Sequence, residues 1–471
     1  MDAGLLPEKL PEPYVLHLVD RIFSATAKIA RRDGSLEEAF PFEGSFCVTA
    51  LVAYDLLSAI KVLRPRIDEH RFQRYLNVIR PLIRFVRNSD ETHGRISNHL
   101  MVAALVLLDW HALTQDDTQI KARSLLDRIE GCYSEEGWFT EYDGADAGYQ
   151  TITHWFLAEL CERYEQGRFA QYLLQATKFL SFFIHPDGSF GGTYGSRNTR
   201  FFSPSGFEQI AHNDPIAAGV AQTMRSSIEK GAVVNLSAVD DHNLPMLFNS
   251  YCRAAKFLHQ RTSPVLMMEP PCRQSESWSK KFPEAGLVVE NSPQSYTVIS
   301  WHKGGVVYHF VKDSKKAYID CGPVGRDSNG RLFCCQLMNP ENELSLGSNE
   351  YIVTAPFVRL SYPTPSPSQF LVLRSACCTF MRLRPLREFI KRLLVQHLIP
   401  RSRPSMTINR RHIRIVNGVL KIEDRIIENH AALQPVSMNG QVFWAVHMAS
   451  QGYWQIGDVR CTSSEMIDGA I

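Results

Sequence analysis

Long apolar runs are missing from this chain: no stretch of about 18 uninterrupted apolar residues occurs, which argues against an ordinary membrane span. The segment Met1–Asp20 carries acids and prolines in place of an apolar leader, so an export signal is not expected and a cytoplasmic location is. Paired cysteine motifs are also lacking. The eleven cysteines include the neighbours Cys334-Cys335 and Cys377-Cys378 but no CxxC, which points to reduced, buried thiols instead of a disulfide framework or a zinc cluster. A large charge of one sign is absent too: 51 basic and 49 acidic residues leave +2, which gives no reason to expect nucleic acid.

What is present is ordinary globular material, 44% hydrophobic and 21% charged over 471 residues, enough for two domains. The charge is uneven. Between Arg382 and Arg414 ten Lys/Arg face one acid, Glu388, so that stretch carries 10 − 1 = +9 and the remainder 2 − 9 = −7. Its interleaved Leu386, Phe389, Ile390, Leu393 and Leu394 suggest a peripheral contact of 382–414 with an anionic inner membrane leaflet, or else a solvated surface helix.

The first half repeats itself. Asp33-Gly34-Ser35-Leu36, Glu136-Gly137-Trp138-Phe139 and Asp187-Gly188-Ser189-Phe190 are similar turns, with a looser member at His93-Gly94-Arg95-Ile96. Their glycines lie roughly 40 to 60 residues apart, the length of a helical hairpin. The helices after these turns (Phe46–Ile60, Asn98–Leu113, Tyr149–Leu160) are apolar on most sides, whereas Asp68–Arg87 and Gln119–Ile129 are charged on one face. That alternation predicts an inner and an outer ring, an incomplete (α/α) toroid of four to five hairpins, continuing through helices at Ser205–Lys230 and Leu244–Gln260. From Thr262 to Pro283 helical periodicity gives way to Pro, Ser and Glu, and then to period-two runs at Tyr296–Trp301, Val306–Lys312, Phe370–Arg374, His412–Val416, Val419–Ile422 and Val442–His447. Asn-Gly turns at 329–330, 417–418 and 439–440 separate several of them. The expectation is a helical domain over 1–265, a linker over 266–283 and an antiparallel β-sandwich over 284–471 with a helical insertion at 386–398.

In a helical ring the turns before the inner helices open on one end, where helix N-termini favour an anionic ligand. Three segments converge there: Ser97-Asn98-His99, Glu141 to Gln150, and Gly191 to Arg200. The Asn-His pair opening one inner helix, the Gly-Tyr-Gln at 148–150 opening the next, and the following sandwich resemble the heparinase II/III-like family of lyases and uronyl C5-epimerases. The resemblance implies removal of the C5 proton of a uronide within an anionic polysaccharide or lipid-linked glycan, ending in β-elimination or epimerisation. It would give catalytic roles to Asn98, His99, Tyr149, Arg197 and Arg200, with a sandwich histidine completing the site: His302 in preference to His309 or His447. Trp138, Glu141, Asp146, Gln150 and Tyr194 would line the substrate. No cofactor is expected; a structural zinc, which the resemblance implies for some relatives, or a calcium has no ligand spacing here.

Other readings stay open. Ser97 and Asn98 also suit helix capping, His99 and His154 a satisfied core, and Arg197 and Arg200 a solvated loop. The acids Glu43, Glu136, Glu141, Asp143 and Asp146 supply a glycoside hydrolase with carboxylates. A binding or assembly protein without turnover, or an enzyme of glycan biosynthesis, fits the same cleft. The Asp187–Gly192 turn is shared with terpene cyclases and prenyltransferases, but their aspartate-rich motif is not evident.

Overall fold

The computed structural model describes residues 10–437 except 39–40, 93, 165, 240–243, 314–315, 348–349, 361–365, 384, 388, 391–392, 394–403 and 429–431, together with the side chains of 166 and 316. His447, the run at 442–447, the turn at 439–440 and most of 386–398 therefore lie outside the described residues.

The helical half runs α1 (Glu12–Ile29), α2 (Phe46–Leu63), α3 (Glu69–Asn88), α4 (Ser97–Thr114), α5 (Gln119–Glu130), then a hairpin of β1 (Tyr133–Ser134) and β2 (Trp138–Phe139), α6 (Ala147–Arg163), α7 (Gln166–Ser181), α8 (Ser205–Ile210), α9 (Pro215–Glu229) and α10 (Leu244–Gln260). The even-numbered helices α2, α4, α6, α8 and α10 pack in sequence as an inner ring, and α3, α5, α7 and α9 each lie outside the inner helix before them. Composition dictates which is which. In α4 and α6 nearly every residue is buried, while α3 turns Arg74, Arg84 and Arg87 outward and buries Phe72, Tyr75, Ile79 and Leu82. Helix α2 is long and apolar enough to cross a membrane by composition, yet here it is an inner helix whose Lys61 pairs with Asp109 at 2.6 Å. From α10, Arg253 reaches Ser58 of α2 at 2.7 Å and pairs with Glu159 of α6, so the last inner helix meets the first in a short toroid.

The repeated turns have one physical basis. The Asp33 carboxylate accepts from the Ser35 amide and hydroxyl, and Asp187 does the same for Ser189. The glycine between them takes positive φ, +87° at Gly34 and +88° at Gly188, as does Gly137 at +97°. Gly94 is not among the positive-φ glycines, in keeping with its looser motif.

The long helix expected over Ser205–Lys230 is two. The chain breaks at Asn213-Asp214-Pro215, where Asp214 caps α9 through the Ile216 and Ala217 amides.

After α10 the chain extends through a 3-10 turn at Pro271–Arg273 to the first strand of the second half. Among the described residues one sheet has five antiparallel strands in order: β3 (Trp278–Phe282), β4 (Leu287–Asn291), β5 (Ser295–Ser300), β6 (Val306–Val311) and β7 (Lys316–Asp320). The other has seven strands: β8 (Val324–Arg326), β9 (Leu332–Cys334), β10 (Glu343–Gly347), β11 (Glu350–Arg359), β12 (Pro404–Val416), β13 (Val419–Glu428) and β14 (Gln434–Ser437). The five-stranded sheet is covered on both faces. Tyr296, Val298, Tyr308 and Phe310 pack against Phe179, Phe183 and Tyr194 of the helical half, and Val288, Ile299 and Val307 against Tyr351, Val353 and Ile413 of the second sheet. Strands β4 to β6 are thus apolar on both sides, and alternation decides only which domain each side chain meets.

The strand expected at Phe370–Arg374 is instead α11 (Pro367–Cys378), started by a capping box in which Ser366 and Gln369 exchange side-chain bonds, with Pro367 in the first turn. A short apolar run does not distinguish strand from helix, and the cap decides it here. Within 386–398, the described residues 386, 387, 389, 390 and 393 are helical. The basic stretch 382–414 is not one surface. Arg411 is fully buried and pairs with Asp320 and Asp424, and Arg387 is buried with Nη2 3.1 Å from Asp33.

Candidate active site at the mouth of the ring

Helices α2, α4 and α6 begin at the same end of the ring, and the chain before each start is tied down by polar groups. Ser45 caps α2. Asp146 caps α6, one oxygen accepting from the Tyr149 amide at 3.1 Å and from the Thr199 hydroxyl, the other from the Arg197 amide at 2.9 Å. This one carboxylate fixes the 195–199 loop over the start of α6. It is a structural hub, with its lone pairs committed to backbone amides and the Thr199 hydroxyl.

At the start of α4, Glu141 is fully buried. Its two oxygens take the Asn98 amide proton (3.3 Å) and the Asn98 Nδ2 (3.1 Å), and the Thr153 hydroxyl adds a third bond at 3.2 Å. Burial pushes this carboxyl up to about 7, against the His99 charge and the Asn98 hydrogen bonds, which pull it down. Asn98 is therefore not a simple helix cap: Ile96 occupies the cap position, and the Asn98 side chain is held by Glu141.

His99 Nδ1 lies 2.7 Å from Glu91 Oε2. Burial works against the imidazolium, but Cys47 and Glu91 outweigh it, so the ring is held well above the usual histidine range. The third group is Arg197, buried with its guanidinium 3.8 Å from the centroid of the Tyr142 ring and 5.4 Å from that of Tyr149. Burial opposes its charge, and the two phenols and neighbouring carboxylates sustain it. Burial also pushes the Tyr142 phenol up, with Arg197 and His99 opposing. Tyr149 is half-buried, its ring edge-on to Phe201 at 5.4 Å.

The structure thus brings together Asn98, His99, Glu141, Tyr149 and Arg197, and adds Tyr142 and Glu91, which the sequence reading did not single out. Tyr142 sits in the left-handed region at φ +62° within Tyr-Asp-Gly, a turn signal that was available. Other proposed residues have structural work instead. The Gln150 amide is spent on the Phe139 N–H (3.1 Å) and the Gly137 carbonyl (2.8 Å), bracing the β1–β2 hairpin. Trp138 donates to Glu136 at 3.0 Å within the core, and the buried Tyr194 hydroxyl meets His185 Nε2 at 3.0 Å. Arg200 exerts its field on His185, Tyr194 and Tyr308. His154 is buried against Phe207 and bonded to Thr177, its pKa pushed down to about 3 by burial, as a core histidine.

The sandwich reaches this end of the ring at Lys303, the residue after His302. The His302 ring lies on Gly286, where an added Cβ would come within 2.0 Å of it, and burial pushes its pKa down. The next residue, Lys303, crosses to the helical half: Nζ donates to the Gly195 carbonyl at 3.1 Å and to Asn198 Oδ1. His309 faces Thr297 and the Gly418 carbonyl inside the sandwich.

No protein-family model matches the sequence, and no curated protein does. Among solved structures the chain is similar to heparinase III, with a TM-score of 0.52 at 10% identity over 88% of this chain and 59% of that one. It is similar too to the chondroitin AC lyase of Streptomyces coelicolor A3, with a TM-score of 0.49 at 10% identity over 86% of this chain and 57% of that one. The fold is the (α/α)-toroid and β-sandwich architecture, and its structural neighbours are polysaccharide lyases. The chain spans somewhat under three fifths of the length of these two neighbours.

Proposed function

We propose that the protein acts on a uronic-acid-containing polysaccharide by abstracting the proton at C5, as a β-elimination lyase or a C5-epimerase. The observation that carries this reading is the buried Arg197 set against two phenols, Tyr142 and Tyr149, at the same ring mouth as Asn98 and His99. A guanidinium beside a phenol lowers the cost of phenolate, which a base for a carbon acid at neutral pH requires. Of the two half-buried phenols, Tyr149, in the first turn of α6, is the base. His99, paired with the buried Glu91 carboxylate at 2.7 Å, supplies positive charge together with the Asn98 amide to the substrate carboxylate, where negative charge grows as C5–H breaks. In elimination the electron pair forms the C4–C5 double bond, the C4–O4 bond breaks, and O4 takes a proton from a phenol; Tyr142, which burial keeps neutral, is placed for that. In epimerisation a proton returns to the opposite face of C5 and O4 stays.

The hydrolase reading gains little support from the acids. Glu136 braces Trp138 and the Glu284 and Ala285 amides, Asp146 caps α6, Glu141 is engaged by Asn98 and Thr153, Asp143 is exposed, and Glu43 is buried just before α2. The substitution Tyr149→Phe tests the proposal: loss of product from uronide polymers supports it, and undiminished turnover overturns it.

A further inference from the structure

Strands β11 and β12 are direct antiparallel partners, Glu350 opposite Arg414 through Val358 opposite Pro404, so the sheet does not require the long connection between them. That excursion contains α11, whose only buried residue among those described is Cys377. Apolar residues fill much of its surface: Phe370, Leu371 and Val372 are 58%, 68% and 70% exposed, and Phe380, Leu383 and Phe389 are comparable. A helix this apolar normally lies inside a protein, and an exposed patch of this kind marks a contact surface. The excursion is also basic. From Ser366 to Leu393 six arginines and lysines accompany one acid, Glu388, giving 6 − 1 = +5, or +4 once Arg387, which pairs with Asp33, is set aside.

Its anchorage places it beside the ring mouth. Arg387 pairs with Asp33 and lies under Gly44, and Arg382 sits 5.4 Å from the centroid of the Phe42 ring; Asp33, Phe42 and Gly44 all precede α2. We infer that the 366–393 excursion docks the protein on an anionic lipid bilayer, with Phe370, Leu371 and Val372 in the interface and Arg374 and Arg382 on the headgroups. The apolar side chains answer to acyl chains and the net positive charge of the 366–393 segment to anionic headgroups, a combination that suits a bilayer better than another protein of mixed charge. Arg387 is excluded as a lipid contact because it is buried against Asp33.

The test is co-sedimentation of the full chain with phosphatidylcholine vesicles, with and without phosphatidylglycerol, independent of any enzymatic assay. The expected result is binding only to the anionic vesicles, weakened roughly fivefold by Arg374→Gln and at least about tenfold by Phe370→Ser/Leu371→Ser, with unchanged thermal melts because these side chains are exposed. Failure of the wild-type chain to sediment with anionic vesicles, or variants that bind like it, would overturn the inference. So would a dimer that Phe370→Ser/Leu371→Ser dissociates in the absence of vesicle binding, which would assign the patch to a second copy of the chain.

Discussion

Glu141 offers a measurable consequence of burying an acid at the ring mouth. Its folded pKa of about 7 stands above the ordinary glutamate value of 4.5. In that order the unfolded chain ionises first, so the stability tied to the protonated carboxyl is present below pH 4.5 and is lost as pH rises through 7. The difference, 7 − 4.5 = 2.5 units, corresponds to about 3 kcal/mol at 1.36 kcal/mol per unit. Glu141→Gln removes the ionisation while keeping an acceptor for Asn98. Urea unfolding of wild type and variant at pH 5 and pH 8 reads most of the effect: the wild type should lose about 2.5 kcal/mol more than the variant between the two conditions. Equal pH dependence in both proteins would refute the assignment of a buried, proton-retaining carboxyl. A larger loss in the variant would refute it as well.

Other outcomes follow from the same geometry. Tyr149→Phe should lower kcat by about 10²- to 10⁴-fold with little change in KM, because the phenol oxygen acts on the proton and not on ground-state binding; steady-state kinetics on a reactive uronide polymer checks this. Gly34→Ala should destabilise the helical half by about 3 kcal/mol or more, since φ is +87° and the added Cβ would lie 1.9 Å from the Pro81 carbonyl oxygen; denaturant unfolding measures it. Arg411→Ala should cost about 3 to 5 kcal/mol by leaving Asp320 and Asp424 without the buried cation between them, again visible in unfolding.

Much of the architecture was legible because its signals are local. Asp-Gly-Ser forms the same turn twice, at Asp33 and Asp187, and the apolar content of α4 and α6 separates inner from outer helices. Misreadings came where local pattern is degenerate or contacts are distant. Phe370–Leu373 fits strand or helix, and the Ser366 cap was the clue that distinguished them. Asp214-Pro215 similarly marked a break inside Ser205–Lys230. At the site, Asn98, His99, Tyr149 and Arg197 follow from their place before inner helices. Gln150, Trp138 and Tyr194 share that place, but they turn inward to Gly137, Glu136 and His185, which only the folded chain reveals. Lys303 was hidden for the converse reason: its partners Gly195 and Asn198 lie more than a hundred residues away.

The central claim is proton abstraction at C5, and the most direct measurement is incubation with a panel of uronic-acid polymers in deuterated water, followed by ultraviolet absorbance and mass analysis. The account predicts either an absorbing unsaturated uronide or deuterium at C5 without chain cleavage, each abolished by Tyr149→Phe. Saturated cleavage products with no deuterium at C5, or C5 chemistry that survives Tyr149→Phe, would contradict it.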